Sequence, residues 1–187
     1  MKHLLLTSPL NTYYHVRHGQ TDLNLEKKYQ GTSDYPLNEN GINQAARVKL
    51  DQAPDLVFSS PFKRSTRTAE IITGITPNHD SRINEKDGGE IEGWSYDKIF
   101  KNYPEIKPDF NNPLEDLLSI HLPSGESDLD VIKRLHQFIY ELEETHKGKC
   151  IYIFGHYGTG VAMRYIFGKT KEEIFKHVEN CNVEKLS

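Results

Sequence analysis

The chain has 187 residues, of which 36% are hydrophobic and 27% are charged, a balance that fits one globular domain and excludes a disordered chain. Its net charge of −4 and its lack of a basic stripe argue against nucleic acid as a partner. Two cysteines are too few for a disulfide scaffold, the apolar run near the start is too short for a signal peptide, and no stretch is long enough to span a membrane. We therefore expect a cytoplasmic protein with no membrane partner.

Strand and helix patterns alternate along the chain. Short apolar or β-branched runs predict strands, and they lie at 13–16, 56–58, 150–154 and, at the end, 183–186. Periodic apolar positions and capping residues predict helices at 41–50, 62–72, 95–103, 128–147, 159–167 and from about 170. Ser60 followed by Pro61 predicts the start of the second helix. This alternation predicts an α/β domain with a largely parallel sheet.

The chain contains no repeat and no linker, so we expect a single domain over residues 1–187. Its central part is less regular. Residues 104–124 are rich in proline and acidic residues and lack clear periodicity. We expect the wider segment 94–126 to leave the sheet and to form a lid or rim above it.

Two of the predicted strands end in a histidine. The first continues into Arg17-His18-Gly19, and the strand at 150–154 continues into Gly155-His156. If these strands are neighbours in a parallel sheet, the two histidines lie side by side at its carboxyl edge, where open α/β sheets bind ligands. Arg64, early in the helix after a third strand, could reach the same point. Two histidines and two arginines together suit a phosphoryl group.

Five groups of residues in order resemble the signatures of the histidine phosphatase superfamily, also called phosphoglycerate mutase-like, and the resemblance is to its phosphatase branch. The groups are Arg17-His18-Gly19-Gln20-Thr21 with Asn24, Gln30-Gly31, Asp34, Pro36-Leu37, Gly41 and Gln44-Ala45; Ser59-Ser60-Pro61 with Arg64 and Thr68-Ala69-Glu70; Glu85, Gly89 and Glu92-Gly93; Pro123, Gly125-Glu126-Ser127, Asp130 and Arg134; and His156. The resemblance covers residues 13 to 183 and implies a three-layer sandwich in which helices flank a mostly parallel central sheet.

The resemblance also implies roles for these residues. His18 would be the nucleophile that becomes phosphohistidine, and Glu85 would protonate the leaving group and later activate water. The phosphoryl oxygens and the rest of the substrate would be bound by Arg17, Arg64, His156, Asn24, Gln30, Gly31 and Tyr157. We expect a small phosphorylated metabolite as the partner, no cofactor and no metal, and we leave a homodimer open.

Some assignments stay open. Glu90 and Glu92 compete with Glu85 as the proton donor, and His121 in the irregular segment is the strongest candidate among the other histidines. Asp130 and Arg134 suggest a structural i,i+4 pair on a helix. Tyr157 stands where the family usually has glycine, and its ring would narrow the pocket. The chain ends soon after 183, so we expect the last strand to be short or absent.

Three functions fit the sequence. The first is a metal-independent phosphatase that hydrolyses a small phosphomonoester. The second is a phosphoglycerate mutase that uses the same phosphohistidine, and the third is a protein that binds a phosphorylated ligand without catalysis. The run Lys86-Asp87-Gly88-Gly89 after Glu85 differs from the Arg-His-Tyr-Gly run of the mutases, which favours the phosphatase. The complete set of His18, Arg64, Glu85 and His156 argues against the third function.

Overall fold

Five strands form one sheet in the computed structural model of the protein, which describes residues 2–187 apart from the side chain of Lys2. Met1, the first residue of the expected domain, lies outside the described residues. The strands are β1 (Thr12–Arg17), β2 (Leu56–Ser59), β3 (Asn78–His79), β4 (Cys150–Gly155) and β5 (Val183–Lys185). Their order is β3-β2-β4-β1-β5, and only β5 runs antiparallel to its neighbour among these pairings. The predicted mostly parallel sheet is therefore confirmed, and the last strand is present but short.

The central pair β1 and β4 is aligned from Thr12 opposite Cys150 to Arg17 opposite Gly155. Every residue of β4 is buried, as expected for a strand covered on both faces. Successive side chains point to opposite faces of the sheet, so each strand contributes to two cores. Tyr13, Ile151 and Ile153 belong to the larger core, whereas Tyr14 and Tyr152 stack at 4.4 Å in the smaller one.

Helices cover both faces of the sheet. They are α1 (Asp22–Leu25), α2 (Glu39–Arg47), α3 (Lys63–Thr73), α4 (Tyr96–Asn102), α5 (Leu114–Leu118), α6 (Asp128–Thr145), α7 (Tyr157–Ile166) and α8 (Lys171–Ile174), with 3₁₀ turns at Lys2–Leu4, Ser81–Ile83, Gly89–Ile91 and Pro104–Ile106. Helices α6 and α7 pack together on the larger core, and α3 places Ala69 in the smaller core. Helices on both faces of the sheet give the three layers that the resemblance implied.

Two helices, α2 and α7, begin two residues before their predicted starts at 41 and 159, and α3 has a different cap from the predicted one. Helix α3 begins at Lys63, after an uncapped Phe62, because Ser60 does not act as a cap. The backbone NH of Ser60 extends the sheet by donating to the Phe154 carbonyl, and its hydroxyl bonds His156. Helix α2 begins at Glu39 rather than Gly41, since the Asn38 side chain accepts a hydrogen bond from the Gly41 NH and caps it.

The predicted pair between Asp130 and Arg134 is wrong. Asp130 instead completes the capping box at the start of α6, where it accepts hydrogen bonds from the NH and hydroxyl of Ser127. Arg134 turns towards Glu126, to which it donates two hydrogen bonds of 3.0 Å. It also donates to the Glu85 carbonyl, so this arginine anchors the segment that carries Glu85 to α6.

The segment 94–126 contains the short helices α4 and α5 and a 3₁₀ turn at Pro104–Ile106. Residues 104–124 show no periodicity because each element there is too short to display one. A small apolar cluster holds the segment together, with Ile99, Ile106 and Leu122 packed against Ile91. Among residues 2–187, the chain forms no helix that combines the length and the apolar character needed to cross a membrane.

Candidate active site

His18 follows β1 directly and turns away from the sheet at Gly19. A side chain at Gly19 would come within 2.6 Å of the Gly41 carbonyl oxygen, and one at Gly41 would come within 2.1 Å of the Gln20 carbonyl oxygen. The turn after His18 and the start of α2 are therefore in direct backbone contact, which only glycine at both positions allows. This contact fixes the backbone on which His18 is carried.

The hydrogen bonds of His18 define its protonation. Its Nδ1 lies 2.7 Å from the Gly19 carbonyl oxygen, which can only accept, so Nδ1 carries the proton and Nε2 holds a lone pair. Burial, followed by the positive charges of Arg64 and Arg17, lowers the pKa of His18 well below its ordinary value. The ring is therefore a neutral base at pH 7, with Nε2 available for nucleophilic attack.

Arg64 is fully buried beside this histidine. Its guanidinium donates to the carbonyl oxygens of Ser33 and Gly31, both at 2.8 Å, and its Nε donates to His156 Nδ1 at 3.2 Å. Burial lowers the pKa of Arg64 to about 10, so the group remains a cation at neutral pH. These bonds hold the positive charge in a single position.

Arg17 reaches the site from the last residue of β1. Its guanidinium donates to the Val178 carbonyl and lies 5.8 Å from the centre of the Tyr157 ring. Its Nε is buried and has no hydrogen-bond partner among the described residues. A buried donor without an acceptor costs about 1–3 kcal/mol, so this nitrogen is suited to an oxygen of a bound anion.

His156 lies beside His18, as predicted, with 5.2 Å between the ring centres. Both of its nitrogens already have partners, because Nδ1 accepts from Arg64 and Nε2 donates to the Ser60 hydroxyl at 2.7 Å. It does not line the cavity described below. His156 therefore contacts Arg64 and not the cavity. A contact between His156 and a phosphoryl group stays a prediction.

The three candidate glutamates lie in different surroundings. Only Glu85 lines the cavity, and its Oε1 accepts from the NH groups of Lys86 and Gly158 at 2.8 and 3.0 Å. Glu92 accepts hydrogen bonds from Thr32, Ser33 and Gly88. Burial raises the pKa of Glu92, but these hydrogen bonds have the larger combined effect and lower the pKa below its ordinary value. Glu90 is exposed and bonds Ser124 and Tyr103.

The other expected binding residues also lie at the cavity. Asn24, Gln30, Gly31 and Tyr157 all contribute to its lining. The Gly31 carbonyl holds Arg64, and Gln30 Oε1 accepts from the Thr21 hydroxyl at 2.8 Å, so both also act structurally. His121 is not part of the lining; its side chain is 65% exposed and lies 3.6 Å from Asp130.

These residues surround one cavity of about 240 Å³. One end is polar and contains Arg17, His18, Arg64 and Glu85. The remaining wall is largely apolar and comes mainly from the segment 94–126, from Tyr29 and Ile91, from α7 and from the chain after α8. The arrangement can hold an anion against a neutral histidine, with the carboxyl group of Glu85 at the side and an apolar space beyond.

Sequence reasoning gave no role to Thr68, although it belongs to the second signature, and missed Asn180. The Thr68 hydroxyl accepts from the Gly19 NH at 2.9 Å and donates to the Arg64 carbonyl at 2.6 Å, so it joins the two elements that carry His18 and Arg64. Asn180 donates to the His18 carbonyl at 2.8 Å. Strand β5 runs antiparallel to β1, so the residues just before Val183 lie next to the end of β1. Only this pairing of the two strands could have indicated that Asn180 lies near His18.

A second support lies beneath the two histidines. The Thr159 hydroxyl donates to the His156 carbonyl at 2.9 Å and accepts from the His156 NH at 2.7 Å. The fully buried His15 lies 3.2 Å from the same hydroxyl through its Nε2. His15 is thus a core residue, and burial, followed by the charge of Arg164, lowers its pKa to about 3.

Within residues 2–187, no group of three or more His, Cys, Asp or Glu side chains is placed to hold a metal ion. The positive charge at the polar end of the cavity comes from arginine side chains.

Comparison with known proteins gives one family. A family model described as "Histidine phosphatase superfamily (branch 1)" matches residues 13–187. The chain is 32% identical over 152 residues to phosphoglycerate mutase-like protein 4 of Arabidopsis thaliana, covering 76% of this chain and 65% of that protein. It is 42% identical over 98 residues to the uncharacterized phosphatase PhoE of Bacillus subtilis, covering 48% and 50%. The chain thus spans about half to two thirds of these two relatives.

Two further matches cover more of both chains. A probable phosphoglycerate mutase, GpmB, of Salmonella arizonae is 32% identical over 182 residues, covering 92% of this chain and 83% of that protein. The solved structure of a mycobacterial glucosyl-3-phosphoglycerate phosphatase with VO3 superposes with a TM-score of 0.79 at 24% identity, covering 92% of this chain and 90% of that one. At that identity the likeness concerns the fold.

The buried histidines predict how stability depends on pH. His15, His18 and His156 are unprotonated in the folded protein because burial and neighbouring arginines lower their pKa values. In the unfolded chain each binds a proton below its ordinary pKa of about 6.5. The unfolded state then binds more protons, so the free energy of unfolding should fall between pH 7.5 and 5.5, by at most about 1.4 kcal/mol per pH unit for each histidine.

Urea denaturation across this pH range measures the slope. His18→Gln should reduce it by about the contribution of one histidine. His177→Gln is the matched control and should leave it unchanged, since that side chain is 75% exposed. A slope that is the same in His18→Gln as in the unaltered protein would contradict the assignment of a neutral, buried His18.

Proposed function

The chain belongs to the histidine phosphatase superfamily, and on that basis we propose that it hydrolyses a small phosphomonoester through a phosphohistidine on His18, without a metal ion. One observation carries the proposal. His18 presents an unprotonated Nε2 while the Gly19 carbonyl holds the proton on Nδ1. When Nε2 bonds to phosphorus, the ring becomes a cation, and the same carbonyl stabilises it by accepting from Nδ1.

In the first step the Nε2 lone pair attacks phosphorus and the bond to the leaving oxygen breaks. Glu85 gives that oxygen its proton, so the product leaves as an alcohol and the carboxylate remains. In the second step a water molecule attacks phosphorus, Glu85 takes a proton from the water, and His18 leaves as the neutral ring. Inorganic phosphate is released, and the enzyme returns to its starting state.

The arginines neutralise charge in both steps. Arg64 is held by the Gly31 and Ser33 carbonyls, so it meets the phosphoryl oxygens without reorganising. The unpartnered Arg17 Nε supplies a further donor. His156 fixes the position of Arg64 through its Nδ1, whatever direct contact it makes with the substrate.

The charges in the cavity favour hydrolysis over the mutase alternative. A phosphoglycerate carries a carboxylate that needs a cation beyond the phosphate end. Lys86 lines that part of the cavity, but its Nζ lies 2.8 Å from Asp128, and Lys28 lies 2.6 Å from Glu26. Both lysines therefore already have a carboxylate partner. The names of the relatives include both phosphatases and mutases and favour neither.

His18→Ala should abolish turnover and phosphoenzyme formation, because His18 is the only histidine among the residues that line the cavity. Rapid quench with ³²P-labelled substrate measures acid-labile phosphate on the protein. His177→Ala, which removes an exposed ring, is the control and should label normally. Acid-labile label on His18→Ala would refute the proposed nucleophile.

Glu85→Gln should slow phosphoenzyme formation from alkyl phosphates by about a hundredfold to ten-thousandfold, the range a positioned acid contributes. The loss from p-nitrophenyl phosphate should be much smaller, because that leaving group needs little protonation. The phosphorylation step must be measured by rapid quench, since dephosphorylation also uses Glu85. Glu90→Gln is the control, as this exposed carboxylate lies outside the cavity lining. Equal losses for both substrates would exclude Glu85 as the acid.

Chelators should leave the rate unchanged, because Arg17 and Arg64 supply the positive charge that a metal ion would otherwise provide. Steady-state rates with and without EDTA provide the measurement. A loss of rate that a divalent ion restores would count against the metal-independent mechanism.

A further inference from the structure

The wall of the cavity beyond the phosphate end is aromatic. Six aromatic side chains line it, namely Tyr29, Tyr96, Phe100, Phe110, Tyr157 and Phe175. They come from separate parts of the chain and converge on one space. Apolar lining with a few polar groups at one end is typical of sites for small organic ligands.

The charges on this wall do not suit a second anionic group. Lys86 and Asp128 form an ion pair in which the side chains are only 16% and 14% exposed, and Lys28 is paired with Glu26. Asp128 itself lies in the lining, so its carboxylate also opposes a second anion. A carboxylate or second phosphate would therefore have to displace an existing ion-pair partner, whereas an apolar group would not.

The entrance of the cavity, which we call its mouth, is also aromatic. Phe110 is 56% exposed, and its ring lies edge-on to Phe175 with 5.6 Å between centres. Lys171 donates to the carbonyl oxygens of Phe110 and Asn112, the second at 2.7 Å, and so fixes this part of the segment to α8. A large exposed aromatic ring held at the entrance provides apolar surface for a ligand that extends outwards.

Tyr157 connects this aromatic wall to the phosphate end. Its hydroxyl donates to the Phe175 carbonyl at 3.2 Å, and its ring faces Arg17. The ring thus belongs to the aromatic wall and borders the phosphate end. An alcohol attached to a phosphate at Arg17 and His18 would pass along this ring as it leaves the polar end.

We propose that the preferred substrates are phosphomonoesters of apolar alcohols, with an alkyl or arylalkyl group of several carbons. The inference rests on the proposed phosphatase function and adds the substrate class. The alcohol is bound through burial of its apolar surface against the aromatic wall, and the phosphate supplies the only charge that the site recognises.

A series of ethyl, butyl and hexyl phosphates tests this preference, because all three leave as primary alkoxides. Each buried methylene contributes about 0.8 kcal/mol, so kcat/KM should rise about fourfold per methylene until the cavity is filled. Glycerol 1-phosphate and 3-phosphoglycerate should fall below butyl phosphate. Values of kcat/KM that are independent of chain length, or highest for the polar esters, would overturn the inference. They would not contradict the proposed phosphatase function.

Binding of the matching alkylphosphonates, which cannot be hydrolysed, separates the two proposals. Calorimetry should show affinity that rises with chain length. If it does while no ester is hydrolysed, the apolar subsite is supported and the proposed phosphatase function is overturned. If affinity for the phosphonates is the same at every chain length, the apolar subsite is overturned whatever the rates.

Phe110→Ser provides the structural test. It should lower the ratio of hexyl to ethyl kcat/KM by about fivefold, because it removes aromatic surface from the mouth. Tyr140→Ser is the matched control, since Tyr140 is 55% exposed and lies on α6 outside the lining. The control should leave the ratio unchanged. An equal ratio in both variants would show that Phe110 does not contribute to the preference for long alkyl groups.

Discussion

The alignment of β1 with β4 is the constraint on which the site depends. Arg17 lies opposite Gly155, so the next residue of each strand is a histidine at the same edge of the sheet. Because side chains alternate between the faces, a shift of one residue in either strand would exchange the faces and separate the histidines. The large core enforces the alignment through Tyr13, Ile151 and Ile153, all of which are fully buried. Hydrophobic packing far from the cavity thus sets the geometry within it.

The site also requires a buried cation whose hydrogen bonds are satisfied. Arg64 is fully buried, and a guanidinium in such a place is strongly destabilising unless its donors find acceptors. The carbonyls of Gly31 and Ser33 and the Nδ1 of His156 supply them. His156 must be neutral to accept that bond, and burial, reinforced by the charge of Arg64, keeps its pKa well below the ordinary value. The charge of Arg64 and the neutrality of His156 therefore support each other.

The parts of the fold that repeat a regular pattern were predictable from the sequence. The strand β4 reads as an unbroken apolar run, and α6 shows one apolar face after a capping box at Ser127, so both were predicted close to their observed bounds. The cap of α3 was not predictable, because Ser60 resembles a cap in sequence but bonds His156, a partner 96 residues away. Asn180 escaped detection for the same reason, since its contact with His18 depends on the return of β5 and on no local pattern.

The two ends of the cavity are built by different parts of the chain. Residues at strand ends form the polar end, and the sheet alignment fixes them. Residues outside the sheet, in the segment 94–126 and around Tyr157 and Phe175, form the apolar wall. Changes in the wall therefore need not disturb the alignment that places His18 beside Arg64. One arrangement of histidines and arginines can then serve different substrates, which agrees with a family whose members are named both phosphatases and mutases.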